Sequence, residues 1–64
     1  MNKYRLTCFV DGSKSTVDVD AHYFISVTVP SKVASTTVSF YDKENFEIYM
    51  FAYVISVEKI EKGE

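Results

Sequence analysis

Sixty-four residues with a net charge of −2, seven basic and nine acidic side chains, one cysteine and one histidine set narrow bounds on this chain. It has room for one domain with a small buried fraction, and neither an intrachain disulfide nor a cysteine and histidine metal cluster can staple it. Five Tyr and five Phe, together with self-association, are what is left to supplement the core, so a homo-oligomer is expected.

Lys3, Arg5, Lys14, Lys32, Lys43, Lys59 and Lys62 are scattered along the chain. Counterion release needs a clustered basic face, so a nucleic-acid partner is not expected. The one route left is base stacking on Tyr23, Tyr41 or Tyr49 in an OB- or Sm-like fold. Met1-Asn2-Lys3-Tyr4-Arg5 leads straight into a strand pattern with no apolar leader, and the expectation is a cytoplasmic protein. The longest uncharged apolar run, Ile48 to Val57, is about half the ~20 residues of a membrane helix, so no membrane span is expected.

Tyr4, Leu6, Cys8 and Val10 alternate with Lys3, Arg5, Thr7 and Phe9, and Val17, Val19 and Ala21 alternate with Thr16, Asp18 and Asp20. Period two marks half-buried strands. Asp11-Gly12 as a two-residue type I′ turn sets Leu6 against Val17, Tyr4 against Val19, Arg5 against Asp18 and Lys3 against Asp20. A four-residue loop, Asp11 to Lys14, keeps the same faces and sets Arg5 against Asp20, so both registers stand. A three-residue loop is excluded, because a one-residue slip would put Leu6 against Asp18.

Odd-numbered apolar residues continue from Val17 to Val29. A straight strand of that length would reach about 40 Å at ~3.3 Å per residue, against a radius of gyration near 11 Å for a compact chain of this size. The run must bend, at Ala21-His22 or at Ser26, and Pro30 ends it. Val38 and Phe40 then lead into Asp42-Lys43-Glu44-Asn45. A three-residue loop, Lys43 to Asn45, pairs Phe40 with Ile48 and Val38 with Met50, with Asn45 near the left-handed region. Alternation falters between Phe51 and Val54, which predicts a turn before a last strand, Ile55 to Ile60.

The expected fold is all-β: about five short strands in two hairpins, closed as a small SH3-, Sm- or OB-like barrel or folded as a strongly bent antiparallel sheet. Residues 1–60 form the domain and 61–64 a frayed polar tail. Neither an internal repeat nor a linker is evident.

Catalytic chemistry finds little footing. Cys8 and His22, the one conceivable nucleophile and base, have opposite parity in the first hairpin unless the bend inverts them. The only glycines are Gly12 in a turn and Gly63 in the tail, too few for a phosphate cradle. Neither Asp18 with Asp20 nor Glu44 with Glu47 has the enclosure that would raise a carboxyl pKa. No enzyme, cofactor or metal site is expected.

Asp11-Gly12, Phe40-Tyr41-Asp42 and Ser56-Val57-Glu58-Lys59 together resemble the layout of short proteins encoded by bacteriophages and prophages. In those, an Asp-Gly hairpin precedes an aromatic strand ending in Tyr-Asp, a polar turn, an apolar strand and a closing strand. The resemblance covers about two thirds of the chain and departs from that layout between Ala21 and Val33. It implies a small accessory protein of a mobile element, directed at a host enzyme or defence system, and carries over no functional residues.

Parity places Phe40, Phe46, Ile48, Val17 and Val19 on buried faces, and Tyr41, Tyr49, Phe51 and Tyr53 beside Glu47 on the opposite face. A second apolar face suggests an interface with a host protein or another copy. The leading expectation is a non-enzymatic inhibitor or modulator binding through Tyr41, Tyr49, Phe51, Tyr53 and Glu47. The runner-up is an oligomeric sponge for a small nucleotide-type signal, contacted by His22, Lys32 and Thr36, and the third is a structural virion component.

Overall fold

The computed structural model describes residues 1–30 and 35–62. Six strands lie among them: β1 (Asn2–Val10), β2 (Ser13–Ala21), β3 (Tyr23–Val29), β4 (Ser35–Tyr41), β5 (Glu47–Phe51) and β6 (Val54–Glu61). They form two three-stranded antiparallel sheets, ordered β2-β1-β6 and β3-β4-β5. The all-β expectation holds as a bent-sheet architecture. The sheets do not close into a barrel.

The first hairpin takes the two-residue turn. Val10 pairs with Ser13, Leu6 with Val17, Tyr4 with Val19, Arg5 with Asp18 and Lys3 with Asp20. Positive φ at Asp11 (50°) and Gly12 (79°) is the type I′ requirement, and it displaces the four-residue alternative. A Cβ on Gly12 would meet nothing within 4 Å, so Gly12→Ala acts through backbone strain alone. It should cost about 1–2 kcal/mol, read as a lower urea midpoint at unchanged m-value.

The long apolar run bends at His22, where β2 leaves the first sheet and β3 joins the second. The backbone N–H of His22 donates to the carbonyl of Tyr41 at 2.8 Å, and Asn2 Nδ2 donates to the carbonyl of His22 at 3.0 Å. A second corner falls at Ala52-Tyr53, between β5 and β6. There the N–H of Phe9 donates to the carbonyl of Tyr53 at 3.1 Å. The expected five strands become six because the corner at His22 divides the long run into β2 and β3, whereas the second corner is the turn expected before the last strand.

Each half of the chain therefore follows one plan: strand, tight turn, strand, corner, strand. Each also lends its third strand to the other half's sheet, with β6 beside β1 and β3 beside β4. This repeat is topological and has no counterpart in the residues.

The second hairpin keeps the expected loop but not the expected pairing beyond it. Asn45 has φ 68°, Tyr41 pairs with Glu47, and the N–H of Asp42 donates to the carbonyl of Phe46 at 3.0 Å. Asp42 Oδ1 accepts from the N–H groups of Glu44 and Phe46, each at 2.9 Å, and fixes the turn. The register then shifts, so that Phe40 faces Tyr49 and Val38 faces Phe51. Ile48 is the extra, bulged residue. The bulge exchanges the faces of β5: Phe51 turns toward the core, and Met50 turns outward opposite Ser39.

The core comprises Tyr4, Leu6, Cys8, Val19, Ala21, Val38 and Phe40, with Val17, Phe51, Val54 and Val57 packed against it. Tyr4 and Phe40 are 5.5 Å apart between ring centroids and join the two sheets, with Phe24 edge-on to Tyr4 at 5.3 Å. Contrary to their assignment from parity, Phe46 and Ile48 are exposed. The last strand includes Glu61, which shortens the expected tail; residues 63 and 64 lie outside the described residues.

The outer face of the first sheet is polar. Arg5 donates from Nε and Nη2 to the two carboxylate oxygens of Asp18, at 3.0 and 3.2 Å. This hydrogen bonding holds the Asp18 carboxyl below the ordinary carboxylate range; the charges of Arg5 and Lys3 add to it, and desolvation opposes it. A carboxyl depressed by folding stabilises the native state above its unfolded pKa, and that contribution fades as pH falls through the folded value. The stability gap between wild type and Asp18→Asn should thus narrow on acidification from about pH 6 to about pH 3, read by urea titration. The gap itself is small, because both side chains are solvated.

Candidate functional site

The residues expected to form one binding face are divided by the corner and the bulge. Tyr41 is half-buried on the outer face of the second sheet, stacked on Tyr23 at 5.0 Å and 10°. The Tyr23 hydroxyl donates to Asn45 Oδ1 at 2.9 Å. Those rings are held by the fold. Phe51 lies on the inner face, edge-on to Phe40 at 6.0 Å, and Tyr49 stacks beside it at 6.4 Å. Phe51 is a core-packing residue, which corrects its placement with Tyr41 on a separate outer face. Glu47 is exposed opposite Tyr41.

Tyr53 behaves differently from the rest of the set. At the second corner it has φ 53°, a conformation rare for a bulky side chain. Tyr53 is 59% exposed. Phe46, in the turn before β5, is 68% exposed, and Met50, turned outward past the bulge, is 63% exposed. Tyr49 at 47% and Ile48 at 38% complete an apolar edge over residues 46–53. Within residues 42–53, Asp42, Glu44 and Glu47 outweigh Lys43, so this stretch carries a charge equal to the chain's net −2.

Phe46, Ile48 and Met50 were not among the expected contacts. Four consecutive apolar residues from Ile48 to Phe51 were the available signal. No strictly alternating strand can bury such a run on one face.

His22, Lys32 and Thr36 do not converge among the described residues. His22 lines a cleft of about 400 Å³ with Met1, Asp42, Lys43 and Glu44. Thr36 lines a separate groove of about 220 Å³ between the sheets, with Phe24, Ser26, Val38 and residues 54–57. Its hydroxyl is hydrogen-bonded to that of Thr28 at 2.9 Å. Lys32 lies outside the described residues. Two carboxylates beside His22 are a poor lining for a phosphorylated ligand.

Cys8 is buried opposite Ser15 and Val54. His22 lies seven residues beyond Ser15 along the same strand run, on the order of 20 Å away at ~3.3 Å per residue. The two therefore do not form a nucleophile and base pair. Among the described residues no group of three or more His, Cys, Asp or Glu side chains could hold a metal ion, and no helix is long and apolar enough to cross a membrane. Comparison with protein-family models, curated proteins and solved structures finds no match to this chain.

Proposed function

We propose that this chain is a non-enzymatic binding protein that engages another protein through the β5 edge and its flanking turns. The observation that carries this reading is the run Phe46, Ile48, Tyr49, Met50 and Tyr53, five large apolar side chains each more than a third exposed on eight consecutive residues. Tyr49 lies on the inner face beside Phe51 and Met50 on the outer, so one strand and its turns present large apolar side chains on both faces. Exposed apolar area concentrated on one element in this way marks an interaction surface. Aromatic rings and methionine are the side chains that anchor interfaces best. The acidic turn beside them favours a partner with an apolar cleft and a basic rim.

The positive φ of Tyr53 supports the same reading. Bulky residues are held in such conformations at a cost of about 1–3 kcal/mol, and such strain clusters at functional sites. Here it keeps an aromatic ring in solvent. The resemblance to phage-encoded small β proteins makes a host-cell protein the class of partner to seek, with inhibition or modulation as the outcome.

The test is capture from bacterial lysate by the tagged chain, with the complex weighed by native mass spectrometry. A protein retained by wild type and by Thr16→Ala on the polar face, and lost with a Met50→Ala/Tyr53→Ala double variant, supports the reading. Retention by the double variant removes it. Bound mass of only a few hundred daltons would favour the sponge instead.

A further inference from the structure

The two sheets present four edges, and three are protected against pairing with another chain. β2 carries Lys14, Asp18 and Asp20. β6 carries Glu58, Lys59 and Glu61, and its register breaks twice against β1, leaving Ile55 and Ile60 as extra residues. β5 has only five residues, with Glu47 and the bulge at Ile48. Charges, bulges and shortness are the devices by which natural sheets blunt their edges.

β3 has none of them. Tyr23-Phe24-Ile25-Ser26-Val27-Thr28-Val29 contains no charge and no proline, and it pairs in unbroken register with β4, its only strand neighbour among the described residues. Ile25, Val27 and Val29 are each about half exposed in a row on its outer face. Such an edge would aggregate unless something pairs with it.

We infer that β3 pairs antiparallel with β3 of a second copy, giving a two-fold dimer with a continuous six-stranded sheet. A two-fold axis through any residue of the strand pairs positions of equal parity. The row Ile25, Val27, Val29 therefore meets its own copy on one face, and Phe24, Ser26, Thr28 meet theirs on the other. An uncharged strand has no like charges to bring together, so β3 is self-complementary as an isologous contact requires.

This inference stands apart from the partner-binding reading, and it has a consequence for it. β5 lies on the far side of β4 from β3. The dimer would carry its two β5 edges at opposite ends of one sheet, about 24 Å apart at ~4.8 Å per strand. One dimer would then present two partner sites and engage a dimeric target with avidity.

Sedimentation equilibrium of the full chain is the test, using Val27→Lys and Val27→Glu. Val27 is exposed beside Thr37, so the isolated fold accepts either charge. Wild type should have twice the mass of the 7.3 kDa chain. Each variant alone should be monomeric, with wild-type circular dichroism. Mixing the two should restore the dimer by pairing opposite charges, a rescue that misfolded variants could not give. A monomeric wild type, a dimer unaffected by either charge, or a failure of the mixture to associate would each overturn the inference. So would a monomer that uses Val27 to capture a foreign strand.

Discussion

Phe40→Ala should remove a large part of the chain's folding stability. Phe40 is fully buried in the middle strand of the second sheet, with Tyr4, Phe24 and Phe51 at 5.5, 5.9 and 6.0 Å. Replacing a buried phenylalanine by alanine costs about 3–5 kcal/mol, because the lost transfer energy is joined by an unfilled cavity. At ~0.05–0.15 kcal/mol per residue, a chain of this length has roughly 3–10 kcal/mol of stability. The loss is therefore at least about a third of the whole.

Since 1 kcal/mol moves the midpoint of a small domain by about 4–8 °C, thermal circular dichroism should show Tm falling by at least about 12 °C. Phe46→Ala is the control, because Phe46 lies mostly in solvent and should barely move Tm. A fall of only a few degrees for Phe40→Ala would mean that the junction of the two sheets is not where the stability resides. The expected dimer adds to this stability at high protein concentration, so the two melts are compared at one concentration.

Where a segment offers one solution to its apolar pattern, the sequence is a sufficient guide. The first hairpin is such a case: Asp11-Gly12 is a strong turn signal, and the three-residue loop that lies between the two-residue and four-residue registers puts Leu6 against Asp18. The choice between those two is made by the backbone of Asp11 and Gly12, a property no side-chain pattern reports. Likewise, the length of a straight strand from Val17 to Val29, set against the size of a compact chain, is enough to require a bend, and of the two hinges open to it, Ala21-His22 and Ser26, the structure uses the first.

The second hairpin differs because Ile48, Tyr49, Met50 and Phe51 are all apolar. Either parity gives an acceptable strand from the loop onward. The structure chooses the parity that lays the Phe51 ring on Phe40 and turns the flexible Met50 outward, with one bulge at Ile48 as the cost. A choice between two nearly equal packings is decided in three dimensions. It also decides the candidate site, since it packs Phe51 against the core and turns Met50 outward opposite Ser39. The topological repeat of the two halves is invisible in the sequence for a related reason: β3 and β6 exchange places between sheets, and no local pattern records which sheet a strand joins after a corner.

The Met50→Ala/Tyr53→Ala double variant should abolish partner binding while leaving the fold intact. Both side chains are more than half exposed, so their truncation removes little that the folded monomer buries. At Tyr53 the left-handed backbone remains unfavourable for alanine. Tyr53→Gly provides a companion that accepts φ 53° without strain. Relief of strain, about 1–2 kcal/mol, opposes the added entropy of the unfolded glycine chain, about 0.4–1 kcal/mol. Stability of Tyr53→Gly should consequently be no lower than that of wild type, and it should still lose the partner if the ring is the anchor.

Truncation of a well-packed anchor typically costs about 2 kcal/mol or more in binding. Two anchors together should weaken Kd by several hundred-fold, measured by titration calorimetry against the captured protein, with wild-type circular dichroism as the check on folding. Phe51→Ala is unsuitable for this purpose, despite its place in the same run, because its ring packs on Phe40 and its loss confounds binding with stability. Equal losses on Tyr53→Gly and Tyr53→Ala assign the effect to the ring. Loss on alanine alone would assign it to the backbone at the second corner, and binding would then depend on the angle between the sheets rather than on the exposed tyrosine.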